Sequence, residues 1–340
     1  MTAKALKSEL HHWWPRTLAE HWRDEQGMVS TVLRSGEIKR APPGAFGALT
    51  NAHHIKLGGP WDSTFEPVFN DADASMSALI SWLFTLETRV ADQSGARFDR
   101  ILAQPLPEDR QSQLASAIAS LIARSPRTRD EIRRRTRYYR ERFGLAEPNP
   151  EDHLIAANQR WLYDAYFKVL VRSGRWAVLF SDTDEFIFGD GFVHDFPASQ
   201  DALHAPRRAI VPLTPTIAIV YAYPQSYPSE PRLVTLRLEP LEVRFFNNAL
   251  QGYANDFLFY RSQQPELIEA FTEGGHRQFE YHRHEWLEGF LDDVSQYNLW
   301  GPGGTPSRGR SEFLRNFREN AQFETLMKHW REEDSDGPSH

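Results

Sequence analysis

Histidine occurs in close pairs along this chain: His11-His12, His53-His54, and His282 with His284 followed by Glu285. Imidazole together with carboxylate can bind zinc or another divalent ion. Two histidines two residues apart point the same way on a strand, where they could share a metal, but not on a helix. The stretch around His282 reads as helix, so its spacing does not fit. The chain has no cysteine, which removes thiolate ligands, disulfides and a cysteine nucleophile. No metal ligand set is assigned.

The second chemically distinctive stretch is Pro126 to Arg142. It carries Arg127, Arg129, Arg133, Arg134, Arg135, Arg137, Arg140 and Arg142. Guanidinium groups present a bidentate fork to phosphate, and Tyr138 and Tyr139 could stack on bases. Arg134 and Arg137 are therefore candidate contacts to nucleic acid or another phosphate ligand. The competing reading is a solvated helix face paired with Asp130, Glu131 and Glu141, or a basic segment docked on an acidic surface of its own protein. Trp13, Trp14, Trp22 and Trp61 could line a cleft, although filling a core is the commoner use of such rings. Gly58-Gly59-Pro60 and Gly301 to Gly304 are turns without the Lys and Ser or Thr of a phosphate loop. There is no G-x-G-x-x-G, no H-E-x-x-H and no G-x-S-x-G, so no cofactor is assigned.

These groups need elements to place them. Met28 to Arg34 reads as a strand. Met76, Leu79, Ile80, Leu83, Phe84 and Leu86 have helical spacing behind a cap at Asp71 or Asp73. A second helix covers about 109 to 124, with Leu114, Ile118, Leu121 and Ile122 on one face. Ser125-Pro126 reads as a cap and first-turn proline opening the arginine helix, which Gly144 ends. Asn149-Pro150 opens a helix carrying Leu154, Ile155, Trp161, Leu162, Ala165 and Val169, closed by Gly174. The period then changes. Trp176 to Phe180 and Glu185 to Phe188 read as strands around a tight turn at Asp182 to Asp184. Ala209 to Leu213, Thr216 to Tyr223 and Arg232 to Leu238 add three more, with edges or bulges at Pro212 and Pro215. A helix at about 239 to 256 precedes a strand from Phe257 to Arg261. Helices are expected at 265 to 272, 279 to 294 and 311 to 330, with a hinge at 301 to 310 and a frayed acidic tail.

Helices, then clustered strands, then helices predict an α+β fold. A mainly antiparallel sheet at about 175 to 262 is packed by helices from the N-terminal half and the C-terminal region. The expected organisation is one α+β domain over 1 to 262 and a helical extension over 263 to 340. Apolar residues at 40% and charged residues at 25% exclude wholesale disorder. A net charge of −7 disfavours non-specific coating of nucleic acid, while leaving room for a local basic patch. Met1 to Leu10 lacks the apolar run of a secretory signal, and no window has the apolar length of a membrane span. With no cysteine, the expected compartment is the cytoplasm. Oligomeric state stays open.

Four spaced motifs resemble an uncharacterised, mostly bacterial family catalogued as domain of unknown function 4238. They are His12-Trp13-Trp14-Pro15-Arg16; Trp176 to Leu179 with Phe186 to Asp190; Val211 to Pro215; and Asn247 or Asn248 followed by Ala254 and Phe257 to Ser262. Their order and spacing agree over about 11 to 262. Where the family usually has a proline soon after the aspartate, this chain has Gly191 and Phe192. The resemblance singles out His12, Arg16, Asp190 and Asn248. His12 would be the acid or base, Asp190 its orienter or a metal ligand, Asn248 a transition-state donor and Arg16 a phosphate clamp. The function expected on this reading is a hydrolase acting on nucleic acid or another phosphate-bearing substrate. The alternative is a non-catalytic binding or regulatory protein. The same residues also have local uses: His12 bonding a carbonyl near Pro15, Asp190 capping a turn, Asn248 bonding a strand edge.

Overall fold

Trp176, Ala177, Val178 and Leu179 form an unbroken apolar run, as do Ile217 to Ala222, and every one of these side chains is buried. Such runs suit strands covered on both faces. In the computed structural model they lie side by side near the middle of a six-stranded sheet. The structure describes residues 9–55, 63–89, 100–144, 153–172, 174–194, 207–223 and 231–274, with 290, 291 and 294.

The strands are β1 (Leu10–His12), β2 (Val29–Leu33), β3 (Ile38–Ala41), β4 (Ala48–Thr50), β5 (His54–Ile55), β6 (Ser63–Thr64) and β7 (Leu102–Gln104). They continue with β8 (Arg175–Phe180), β9 (Phe188–Gly189), β10 (Val193–His194), β11 (Arg207–Thr214), β12 (Ile217–Tyr223), β13 (Leu233–Arg237) and β14 (Phe257–Tyr260). The longer helices are α1 (Asn70–Leu83), α2 (Glu108–Arg124), α3 (Pro126–Arg142), α4 (His153–Arg172) and α5 (Pro240–Tyr253). The main sheet has the order β10-β11-β12-β8-β13-β7, antiparallel except for the parallel pair β8 and β13. A second, antiparallel sheet has the order β3-β2-β14-β9. β1 pairs with β4, and β5 with β6. The fold is α+β, as the pattern predicts.

The single sheet expected at about 175 to 262 is instead divided between two sheets, and β2, β3 and β7 come from outside that range. Glu185 to Phe188 does not form a strand beside β8. Only Phe188 and Gly189 pair, and they pair with β14. The physical reason is that Phe186, Ile187 and Phe188 are all buried, and other groups satisfy the polar atoms before them. The Phe186 amide donates to the Pro215 carbonyl at 2.8 Å. The Ile187 amide donates to Asn247 Oδ1 at 3.1 Å. The Glu185 carboxylate accepts from Arg261 Nε at 2.7 Å and the Ser262 amide at 2.9 Å. At Pro212 the β11–β12 register shifts, the bulge expected of a proline in a strand.

The helices follow their apolar spacing. On α1, Met76, Leu79, Ile80 and Leu83 are buried but Phe84 is exposed. Neither Asp71 nor Asp73 caps it, because both lie inside its first turn, where they oppose the positive helix end. Asp73 pairs instead with the buried Arg124. Residues Leu114, Ala115 and Ala117 to Ala123 of α2 are all buried, with small alanines allowing close packing against α1 and α4. Ser125 Oγ accepts the Thr128 amide at 3.2 Å and Pro126 starts α3, as predicted. Trp161 is 44% exposed on α4, off the apolar face assigned to it. The start of that helix at Asn149-Pro150 lies outside the described residues. Of the expected 265–272 helix, only one turn forms, Glu269–Thr272; of the expected 279–294 helix only positions 290, 291 and 294 are described, all helical, and the 311–330 helix, the hinge and the tail lie outside the described residues. Phe271, Phe290 and Val294 are nevertheless buried in the main apolar cluster.

No helix among the described residues is long and apolar enough to cross a membrane. Inside the fold, Arg100 makes a two-point contact with Glu242, at 2.8 and 2.9 Å. Its Nη1 also donates to the Arg237 carbonyl at 2.8 Å. Removing one partner of a buried pair leaves the other charge uncompensated, at about 3–5 kcal/mol. Arg100→Ala is expected to lose that much in urea denaturation. A loss below about 1 kcal/mol would place the pair among the weak solvated bridges.

Candidate functional site

A cleft of about 550 Å³ opens where β1, β4, the start of α3 and the α5–β14 junction meet. Trp13, Phe46, Phe257 and Phe259 form its apolar lining. Its polar lining comes from Arg129, Asp130, Arg133, Asp190, Asn255 and Asp256. Trp13 is placed by main-chain bonds: its amide and that of Trp14 donate to the Gly47 carbonyl at 2.8 and 3.0 Å. Gly47 has φ +75°, and a Cβ there would collide with Trp14, so glycine is required for this approach. Behind the cleft, Trp14 stacks on Phe188 at 4.6 Å and contacts Phe259 at 4.5 Å. The indole of Trp22 donates to the Leu213 carbonyl at 3.1 Å. Trp14 and Trp22 thus fill the core, while Trp13 serves both core and cleft. Trp61 lies outside the described residues.

Asp190 sits at the cleft floor with no exposed surface. Its Oδ1 accepts the Asn255 amide at 2.6 Å, and its Oδ2 accepts the Asp256 amide at 2.9 Å. Its own amide donates to the Phe257 carbonyl at 3.3 Å, and its carbonyl accepts the Arg127 amide at 3.2 Å. The residue therefore caps the α5–β14 turn and ties the first turn of α3 to it. Gly191 follows because a Cβ there would strike the Tyr253 carbonyl and the Arg127 side chain. Burial pushes the Asp190 carboxyl up to about 7, against the pull of the backbone amides and with help from the nearby Asp256 charge.

The remaining polar groups are cross-linked. Asn255 Nδ2 donates to Asp130 Oδ2 at 2.8 Å and to Asp256 Oδ2 at 3.0 Å. Arg133 Nη1 donates to Asp130 Oδ1 at 3.1 Å. Arg129, largely buried, donates to the Ala52 carbonyl at 2.8 Å. Arg129, Arg133, Arg137 and Arg140 recur at helical spacing, so they share one face of α3. That face begins inside the cleft and runs outward to the exposed Arg137.

Of the residues singled out from sequence, the cleft holds Asp190. His12 is on β1 opposite Ala48, and its carbonyl accepts from Arg124 at 3.2 Å. Arg16 is exposed in the turn Arg16–Ala19, 3.6 Å from Glu20. Asn248 is half-buried on α5. Its neighbour Asn247 makes the bonds to the chain before β9, donating to the Glu185 carbonyl at 2.8 Å and accepting from Ile187. None of His12, Arg16 and Asn248 is in the cleft lining. Arg134 is half-buried and Arg137 exposed on α3. Sequence reasoning named Arg129 and Arg133 among the eight arginines without singling them out, and missed Asn255 and Asp256. The four-residue recurrence of arginine was a usable signal for the first two. Asn255-Asp256, a polar pair between a helix and an aromatic strand, was a weaker one.

A second cluster lies on β1 and its surroundings. His11, His53 and His54 are all buried. The His11 and His53 rings stack at 4.9 Å, and His54 meets His11 edge-on at 4.7 Å. His53 Nδ1 contacts Glu66. Burial holds both His11 and His53 below the ordinary imidazole range, the Glu66 charge opposing. Burial alone would raise Glu66, but the His53 contact together with the charges of His53, Arg124 and His11 leaves its carboxyl low.

No family model matches the chain, and neither the curated proteins nor the solved structures contain a significant match.

The raised Asp190 value has a consequence for stability. The folded state prefers the neutral carboxyl, so its contribution is complete below the usual carboxylate range and is lost as pH rises through about 7. The protein is expected to be less stable toward urea at pH 8 than at pH 5. Asp190→Asn, which stays neutral and keeps an acceptor oxygen, should flatten this decline. Equal slopes in the two proteins would contradict it.

Proposed function

We propose that the protein binds the end of a nucleic-acid strand, or another phosphate-bearing ligand with a planar ring, in this cleft. The observation that carries the reading is the arginine face of α3. It starts among the aromatic walls of Trp13, Phe46 and Phe257 and leads out along the helix. A ring would stack on the walls beside the Asn255–Asp130 pair, while Arg133 and Arg137 meet phosphates. The exposed rings of Tyr138 and Tyr139 further along α3 extend the same surface.

A non-catalytic binding role is favoured because His12, Arg16 and Asn248 lie outside the cleft lining. The second reading is a hydrolase of the same substrate class, and its support is the place of Asp190 in the cleft floor with a carboxyl pushed up to about 7. The four spaced motifs support grouping the chain with the domain-of-unknown-function 4238 family. A cysteine-free chain fits the cytoplasm of a bacterial cell.

Fluorescence anisotropy with labelled single-stranded oligonucleotides tests the binding reading. Arg133→Glu and Arg137→Glu should each weaken binding at least tenfold and lower its salt dependence. Affinity unchanged in both variants would reject it. Release of labelled product by the wild type, lost in Asp190→Asn, would favour the hydrolase.

A further inference from the structure

We propose that the free edge of β4 reads a nucleobase by main-chain hydrogen bonds while the ring lies between the cleft walls. This rests on the binding of a phosphate-bearing ring in the cleft and narrows that ring to a base. β4 pairs with β1 alone, in a two-stranded sheet, so its other side has no strand. The register decides which groups face that side. The Asn51 amide donates to the Glu9 carbonyl at 2.8 Å, and the Trp13 amide to the Gly47 carbonyl at 2.8 Å. Bonded and non-bonded pairs alternate along an antiparallel ladder. His11 and Leu49 are therefore a bonded pair, while Leu10 with Thr50 and His12 with Ala48 are non-bonded pairs. In a non-bonded pair both main-chain groups point away from the partner strand. The His12 carbonyl shows this on the β1 side, where it accepts from Arg124 at 3.2 Å.

On the β4 side the outward groups are the amides and carbonyls of Ala48 and Thr50. Among the described residues, none of these groups has a hydrogen-bond partner. Ala48, Leu49 and Thr50 all line the cleft. Along the strand the edge offers donor, acceptor, donor, acceptor. A base carries donors and acceptors side by side on its Watson–Crick edge, and unpaired bases are read there. Aromatic rings hold such a base by its faces, as Trp13, Phe46 and Phe257 can in this cleft. Arg129 and Arg133 line the same cleft, so a phosphate joined to the base meets the arginine face of α3.

A plain aromatic ring fits the walls but covers the edge, leaving its amides and carbonyls dry and unpaired. An extended peptide can also add to a strand edge. β4 is only three residues long, Ala48–Thr50, and two of them face outward. That gives a peptide few ladder bonds, whereas it is enough for one base, and the arginine face calls for phosphate. Proline is tolerated in an edge strand where the missing N–H faced outward. The edge can therefore be altered without removing a bond between β1 and β4.

The test is calorimetry of the full chain with the common nucleoside monophosphates, and with an analogue carrying naphthalene in place of the base. At least one natural nucleotide is expected to bind about tenfold or more tighter than the analogue, roughly the worth of one well-made hydrogen bond. Ala48→Pro or Thr50→Pro should remove that advantage and leave the affinity for the analogue unchanged. The comparison in the wild type decides the matter even if neither proline variant folds. Equal affinity for nucleotides and analogue, with both lost in Arg133→Glu, would overturn base reading and leave the phosphate-binding cleft standing. No binding of any of these ligands would overturn both. A short acidic peptide that displaced every nucleotide would overturn base reading in favour of strand addition.

Discussion

The structure turns on a carboxyl group that has no contact with water. Asp190 joins three segments that are far apart in sequence: β9 before it, the first turn of α3, and the turn between α5 and β14. Backbone amides of Asn255 and Asp256 end on its side chain, and the Arg127 amide ends on its carbonyl. Burying a carboxyl without partners would cost several kcal/mol, on the order of the transfer penalty for unpaired polar groups. Here the amides supply partners for both oxygens, and burial pushes the carboxyl up to about 7, so that the charge is given up below that pH. The cleft exists because this junction sets the distance between the arginine helix and the aromatic strand β14.

Around that junction the packing is dominated by rings. Trp14, Trp22, Phe188 and Phe259 fill the space beneath the smaller sheet. Gly47 lets β4 approach Trp14, and Gly191 lets α3 approach the end of α5. Each glycine sits where any side chain would collide with a neighbouring segment, so the aromatic core and the cleft wall are fixed together. The arginines then divide by depth. Arg129 and Arg124 are consumed by internal acceptors, while Arg137 further along α3 faces solvent.

Much of this fold was legible in the sequence because local signals and tertiary context agree. Ser125-Pro126 opened α3, helical spacing gave the buried face of α1, and apolar runs gave β8 and β12. The failures came where tertiary contacts decide. Glu185 to Phe188 has strand-forming residues, yet Asn247, Arg261 and Ser262 capture its polar groups and only its end pairs. Asp73 looks like a helix cap but is drawn to Arg124. The site was less legible still. Asp190 could be named, but its partners are main-chain amides of Asn255 and Asp256, which carry no side-chain signature. Nothing in the spacing of His11 and His54 announces that β1 and β5 bring them together.

Asp190 is a buried clasp whose carboxyl is pushed up to about 7, and its titration is felt across the cleft. The most direct measurement is an NMR pH titration that follows the Asp190 carboxyl carbon together with the amides of Arg127, Asn255 and Asp256. One shared step near pH 7 is expected in all four signals. A carboxyl that titrates in the ordinary range near 4, about that of a solvated aspartate, with those amides unmoved near pH 7, would contradict it.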